Sequence, residues 1–349
     1  MDLKRDYYED VRLFPRMAEK FWFAVLLGIL AAYMFLAPPY YLYLANLIFI
    51  HTIVAVGLNL LVGYTGQISL GHAGFFAIGA YGTTLLVSKA GAPYPIALLA
   101  AGAAAALFGF LLGLPALRLK GPYLAIATLG FGLTITQVIG RWELFGGHMG
   151  MQVPKPSVLG LSFSSDRSLY ALAGAAAVFA CLLAANLVKS RVGRAFMAIR
   201  DNDTAAAAMG VDIPAYKTLA FALSALYAGV AGGLMAPVLG FINPGMFNLF
   251  LSITFLAMVV VGGPGSIAGS VFGAVLITVL NLKLSTIQEL PVLGALFTAV
   301  SERWFSVSGL ANVATIAFGF IMVAIILVEP LGLYGLWIRT KLYFKTWPF

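Results

Sequence analysis

The stretch GLNLLVGYTGQISLGHAGFFAIGAYG, residues 57–82, is too polar for a plain membrane span and too apolar for a surface loop. It holds Asn59, Gln67, Ser69 and His72 among seven glycines, Gly57, Gly63, Gly66, Gly71, Gly74, Gly79 and Gly82. Glycine has two uses in such a place. It lets helix backbones approach closely, and it adopts positive φ where a chain must turn. The second use is constrained, because non-helical backbone at depth must be surrounded by protein or water. The stretch therefore predicts either a tightly packed span or an unwound segment, GYTGQISLG, whose freed backbone groups are met by Gln67, Ser69 and His72.

Composition supports the membrane setting. Hydrophobic residues make up 61% of the 349 residues, charged residues 10%, and the mean hydropathy is +0.97. A soluble domain carries roughly 25% charged residues. The sole cysteine, Cys181, lies in an apolar run, so no intrachain disulfide is possible.

A helix crosses the hydrocarbon with about 20 residues at about 1.5 Å each. Runs of that kind begin near Phe21, Tyr40, Gly66, Tyr94, Pro122, Leu169, Ala215, Phe247, Ser266 and Val307. The expected fold is all-α: a polytopic membrane protein of about ten transmembrane helices, within a range of eight to ten. The third and fifth spans are rich in glycine and threonine and are candidates for broken or re-entrant segments. Residues 1–20 form an N-terminal segment with a short amphipathic helix near Tyr7–Phe14, and the run from Phe21 to Ala37 is expected to be an uncleaved first span. One membrane-spanning domain covers 21–330, and 331–349 form a tail.

Basic residues orient this arrangement. With ten spans, fifteen of the 21 lysines and arginines fall on the side holding both termini and the loop 189–217, and six on the other. The richer side is expected to be cytoplasmic. Loops 141–168 and 283–306 then face outward, the second with a surface helix near Gly294–Trp304; each is a connector or a docking surface. The net charge of +8 is accounted for by topology and lipid contact, since no basic stripe with interleaved aromatics suggests nucleic acid.

Residues 62–69, VGYTGQIS, match 261–268, VGGPGSIA, at four of eight positions across an offset of 199. Similar local structure is expected at the two sites.

Four stretches carry a family resemblance. The opening segment, GPYLAIATLGFG at 121–132, SRVGRAFMAIRDNDTAAAAMGVDIPAYKTLAFALSALYAGVAGGLMA at 190–236 and VVVGGPGSIAGSVFGAVLI at 259–277 together resemble permeases of branched-chain amino acid ABC importers. The length and the large central loop point to the LivM-type subunit over the shorter LivH-type. Permeases for urea or short amides share much of the pattern and form the alternative. The resemblance implies a bacterial inner-membrane location and a complex of several chains. These are a second, LivH-type permease, two ATP-binding subunits and a periplasmic amino-acid-binding protein.

The residues agree with that division of labour. No Gly-x-x-x-x-Gly-Lys-Ser/Thr phosphate loop occurs, and none of the ten lysines follows a glycine. Acidic residues fall in expected loops or at span ends, with Glu329 closing the last span, which disfavours an ion-coupled secondary transporter. His51, His72 and His148 lie far apart with no carboxylate at ligand spacing. No catalytic residue, metal or cofactor is expected.

Candidate pathway residues are Asn59, Gln67, Ser69, His72, Thr128 and Gln137; hydrogen bonding within the bundle is the competing role of each. In the loop, Ser190 is expected to cap one helix and Asp203 a second, TAAAAM, which Gly210 ends; Asp212 and Pro214 suit the next start. The short helix, Asp203, Thr204, Ala205, Ala206, Ala207, Ala208, Met209 and Gly210, resembles the coupling helix with which ABC permeases enter a groove of the ATP-binding subunit.

Overall fold

The computed structural model describes residues 17–119, 121–158, 161–163, 165–286, 319, 320, 322, 323, 327, 329 and 332–346. Among these, the helices are α1 (Met17–Leu36), α2 (Pro39–Val62), α3 (His72–Ser88), α4 (Tyr94–Ala116), α5 (Pro122–Arg141), α6 (Asp166–Lys189), α7 (Arg191–Asp201), α8 (Asp203–Ala208), α9 (Ile213–Leu239), α10 (Leu249–Gly262), α11 (Ile267–Thr286) and α12 (Gly332–Thr346). The fold is an all-α polytopic bundle. Two-residue strands pair Met151 with Ile242 and Gln152 with Phe241, and a tight hairpin pairs Ser157–Val158 with Leu161–Ser162.

Among the described residues, seven stretches are long and apolar enough to cross a membrane: α1, α2, α4, α5, α6, α9 and Pro244–Gly262, which contains α10. Ten were expected. Helix α3 starts at His72 and not near Gly66, because residues 63–71 leave the helical path, and it keeps only 17 residues. The apolar part of α11 ends at Lys283. The expected span from Val307 lies outside the described residues, apart from isolated helical positions between 319 and 327. So do the expected helices near Tyr7–Phe14 and Gly294–Trp304.

The fifth expected span is continuous, with no break. Pro122 sits in its first turn, where no amide is needed. The hydroxyls of Thr128, Thr134 and Thr136 return to the carbonyls of Ala125, Gly130 and Gly132, so the threonines sit comfortably within the helix.

Helix α9 is the hub and packs against α2, α3 and α4. Its buried residues are mostly small, Ala220, Ala225, Ala228, Gly229, Ala231, Gly232, Gly233 and Ala236, beside the larger Phe221, Tyr227 and Leu234. A side chain at Gly79 would strike the Gly229 carbonyl, and one at Gly232 the Phe76 carbonyl. Lipid tails are as apolar as leucine, so helices in a bilayer gain from close backbone packing more than from burial of large side chains. The larger groups, Phe76, Tyr81, Phe247 and Phe255, fill the space beside this crossing.

Substituting Gly79→Val should therefore cost about 1–3 kcal/mol of stability, as overpacking does. Gly130→Ala, where nothing lies within 4 Å of the added carbon, should be neutral. Thermal unfolding midpoints of the purified protein in detergent check the pair. Equal midpoints would show that the crossing tolerates bulk.

Candidate functional site

Helix α2 ends at Val62, and the chain turns through Gly66 at φ 71°. It then runs unwound to Gly71 before α3 begins. His72 meets Ser224, which lies near the middle of the 27-residue α9, so α3 starts inside the bundle and not at its end. The backbone groups freed by this break are met locally. The amide of Gln67 donates to the Leu61 carbonyl at 3.0 Å, and that of Leu70 to the Thr128 hydroxyl at 2.9 Å. The amide of Ala73, in the first turn of α3, donates to the Ser252 hydroxyl at 3.0 Å. This is the unwound alternative raised by the glycine pattern.

Five of the six candidate pathway residues are wholly engaged in holding this segment. Asn59, Gln67, Ser69, His72 and Thr128 are all buried. His72 sits between two hydroxyls, with Nδ1 at 3.0 Å from Ser69 and Nε2 at 2.7 Å from Ser224. The Gln67 amide donates to Thr65. The sixth, Gln137, is exposed on α5 and has no hydrogen-bond partner among the described residues. Sequence reading missed Ser224 and Ser252. Both are lone serines on glycine-, alanine- or leucine-rich helices, with no local pattern to mark them.

Asn59 ties the two similar turns together. Its amide donates to the Ser266 carbonyl and to the Ser270 hydroxyl, both at 2.8 Å. Its carbonyl accepts from the Gly265 amide at 2.9 Å. Gly66 and Gly265, equivalent in the internal match, both hold positive φ, at 71° and 79°. Beyond that point the two sites diverge. The second turn enters α11 at once, at Ile267, whereas the first stays unwound until His72.

The loop after α6 lies at the same end as these turns, since Arg200 donates to the Gly63 carbonyl at 3.0 Å. Ser190 caps α7 through Val192, and Asp212 caps α9 through Ala215, as expected. The cap of α8 is corrected: Asn202 accepts from the Ala205 amide. Asp203 instead lies in the first turn and pairs with Lys217 at 2.6 Å. Asn202 has the extended backbone of a cap, which frees the Asp203 carboxylate to reach across to α9. Gly210, at φ 83°, ends the segment. Ala206 is buried against the chain itself, while Thr204, Ala205, Ala207, Ala208 and Met209 face outward, Met209 at 84% exposure. At the opposite end, the paired strands at 151–152 and 241–242 lie beside the short helical turns Glu143–Phe145 and Gly147–Met149. Lys89 closes that cluster by donating to the Leu144 carbonyl. Of the loop 283–306, residues 287–306 lie outside the described residues.

The family described as "Branched-chain amino acid transport system / permease component" matches residues 40–328. The chain belongs to this family and is a multi-pass permease subunit of an ABC importer. It is 36% identical over 300 residues to the high-affinity branched-chain amino acid transport system permease protein LivM of Escherichia coli K12, covering 79% of this chain and 71% of that protein. A probable branched-chain amino acid transport permease protein, LivH of Methanocaldococcus jannaschii, is 27% identical over 309 residues, or 84% and 91% of the two chains. The autoinducer 2 import system permease protein LsrC of Escherichia coli O157:H7 is 30% identical over 211 residues, or 57% and 58%. No solved structure matches this chain. The stronger identity to LivM agrees with the LivM-type reading of the sequence.

Because His72 fills a closed triad of neutral hydrogen bonds, it should act as a brace. Ser224→Ala leaves a buried ring nitrogen unpaired and should cost about 1–3 kcal/mol. His72→Ala, which orphans two hydroxyls, should cost at least as much. Neither should alter the pH dependence of the remaining transport. Thermal midpoints and uptake at several pH values check this; a changed pH profile at unchanged stability would make His72 a proton carrier.

Proposed function

We propose that this chain forms one half of the membrane channel of an ATP-driven importer of branched-chain or related hydrophobic amino acids. ATP hydrolysis is supplied by two partner subunits, delivery by a periplasmic binding protein, and the other half of the channel by a second, LivH-type permease. The observation that carries the coupling part is the outward face of α8. A six-residue helix is too short to be stable alone. This one is held by the Asn202 cap and the Asp203–Lys217 pair, yet turns Ala205, Ala207, Ala208 and Met209 away from its own chain. A small, apolar, pre-formed face of this kind suits a close-fitting protein groove.

The cargo reading is supported by the LivM and LivH relatives. Permeases of urea or short amides remain its alternative. Uptake of labelled leucine, isoleucine and valine by cells expressing the whole complex tests it, with urea and acetamide as competitors. Displacement by the amides and not by unlabelled leucine would favour the alternative.

For the pathway, the outer face of α5 is the best candidate. Gly130, Thr134 and Gln137 are exposed on it in sequence spacing of a single helix face. An unpaired amide facing lipid would be costly, so the face calls for water or a polar partner. We read about ten crossings with both termini cytoplasmic. The common location of the basic loop 189–217 and the two glycine turns supports this, as does the contact of Gly332, where α12 begins, with Gly263.

Two measurements follow. Ala207→Trp should lower recovery of the ATP-binding subunits and cargo-stimulated ATPase activity, with the isolated permease as stable as before. Ala206→Trp, at a buried position, should destabilise the permease itself. If Ala207→Trp leaves assembly and ATPase activity unchanged, α8 is a connector. For orientation, single cysteines replacing Lys155 and Lys341, in a Cys181→Ala background, should react with an impermeant thiol reagent from outside and inside respectively. The reverse pattern would invert the topology.

A further inference from the structure

We propose that Arg200 is a positioning residue of the transport cycle: its guanidinium links the segment 191–210 to the paired glycine turns, and so passes movement of α8 to the unwound segment inside the bundle. The inference rests on the reading of α8 as the face seated on an ATP-binding partner.

Arg200 stands next to last in α7, just before the extended residue Asn202 that separates α7 from α8. Its guanidinium makes two kinds of contact at once. Nη1 donates to the Gly63 carbonyl at 3.0 Å, while Nε and Nη2 donate to Asp201 Oδ1 at 3.3 Å. The Gly63 carbonyl follows the last turn of α2, where carbonyls lack a helical partner and where a cation is favoured by the helix dipole. Arginine suits the position because its planar fork holds two acceptors in fixed directions, which a lysine ammonium does not.

What Arg200 grips is not a loose loop. A side chain at Gly63 would collide with Asn59 and with the Gly265 amide, so the two turns are in direct backbone contact. The stem of Arg200 lies against Gly66, and its Nη1 lies beside Gly265. Asn59, 1% exposed, bonds Gly265, Ser266 and Ser270 and locks the turns as one body. From that body the chain leads through Gln67 and Leu70 to the start of α3, where Thr128, Ser224 and Ser252 from three other helices converge. Movement of the turns is thereby imposed on the one stretch of non-helical backbone that enters the bundle here. The grip itself is adjustable: the Arg200 side chain is 42% exposed and its acceptor is a neutral carbonyl, so it can shift between states without a buried charge being stranded.

The test uses the complete complex of both permeases and ATP-binding subunits in proteoliposomes, with the binding protein and leucine supplied. Arg200→Gln and Arg200→Lys are compared with the unaltered complex for subunit recovery, ATPase rate and leucine imported per ATP hydrolysed. Arg200→Gln should keep recovery and ATPase rate within twofold and lower leucine per ATP at least fivefold, with Arg200→Lys intermediate. If Arg200→Gln reduces recovery, Arg200→Lys carries the comparison, and a lowered leucine-per-ATP ratio is again the expected result. An unchanged ratio, or ATPase and transport falling in parallel, overturns the proposal. Ala207→Trp in the same assay separates the two readings. An effect of Ala207→Trp without one of Arg200→Gln removes only the link, whereas no effect of either removes α8 as the coupling surface.

Discussion

A backbone that stops being helical inside a membrane protein must find partners for its amides and carbonyls within the protein, because the bilayer offers none. Residues 63–71 impose that demand, and much of the central bundle is arranged to meet it. Asn59 braces the turn from α2, Thr128 from α5 takes the Leu70 amide, Ser252 from α10 takes the Ala73 amide, and Ser224 from α9 fixes His72. Helices α2, α5, α9 and α10 each contribute a hydroxyl or amide to it or to the start of α3. The small residues of α9 then let those helices come close enough for the bonds to form.

This bracing changes what the polar residues of the opening stretch mean. In a span, an amide or imidazole is a functional hypothesis by default. Here Ser69 and His72 bond each other, Gln67 bonds the Thr65 hydroxyl, and Asn59 bonds the Ser266 carbonyl. Together they hold the unwound backbone in place. Of the six candidate residues, the one left without a hydrogen bond is Gln137, on a helix that is otherwise conventional.

The loop 189–217 illustrates how division of roles within one short helix is achieved. Ala206 secures α8 to its own chain, and the neighbouring Ala205, Ala207 and Ala208 stay outside. Asn202 takes over the cap, which releases Asp203 to pair with Lys217 on α9. The helix is thus presented in a fixed pose on a stiff support, with Arg200 immediately behind it. This support joins α8 to α7, α9 and the glycine turns.

Much of this was legible in the residues alone. Composition and run length determined an all-α membrane bundle. The chain of caps and stops from Ser190 to Pro214 set out α7, α8 and the start of α9 nearly residue by residue, because capping is local chemistry. The family resemblance rested on contiguous motifs, and Gly66 and Gly265 announced turns that both adopt positive φ. What the tertiary structure alone decided was which of two local options won and what each polar group touched. The fifth span stayed helical, with its threonine hydroxyls satisfied by carbonyls one turn back. The start of the more glycine-rich third span unwound, and hydroxyls 58, 152 and 179 positions away receive it. Asn202 displaced Asp203 as a cap because Lys217, fourteen residues on, offered the carboxylate a partner. Such choices depend on contacts between residues remote in sequence, and a reading of neighbouring residues carries no information about them.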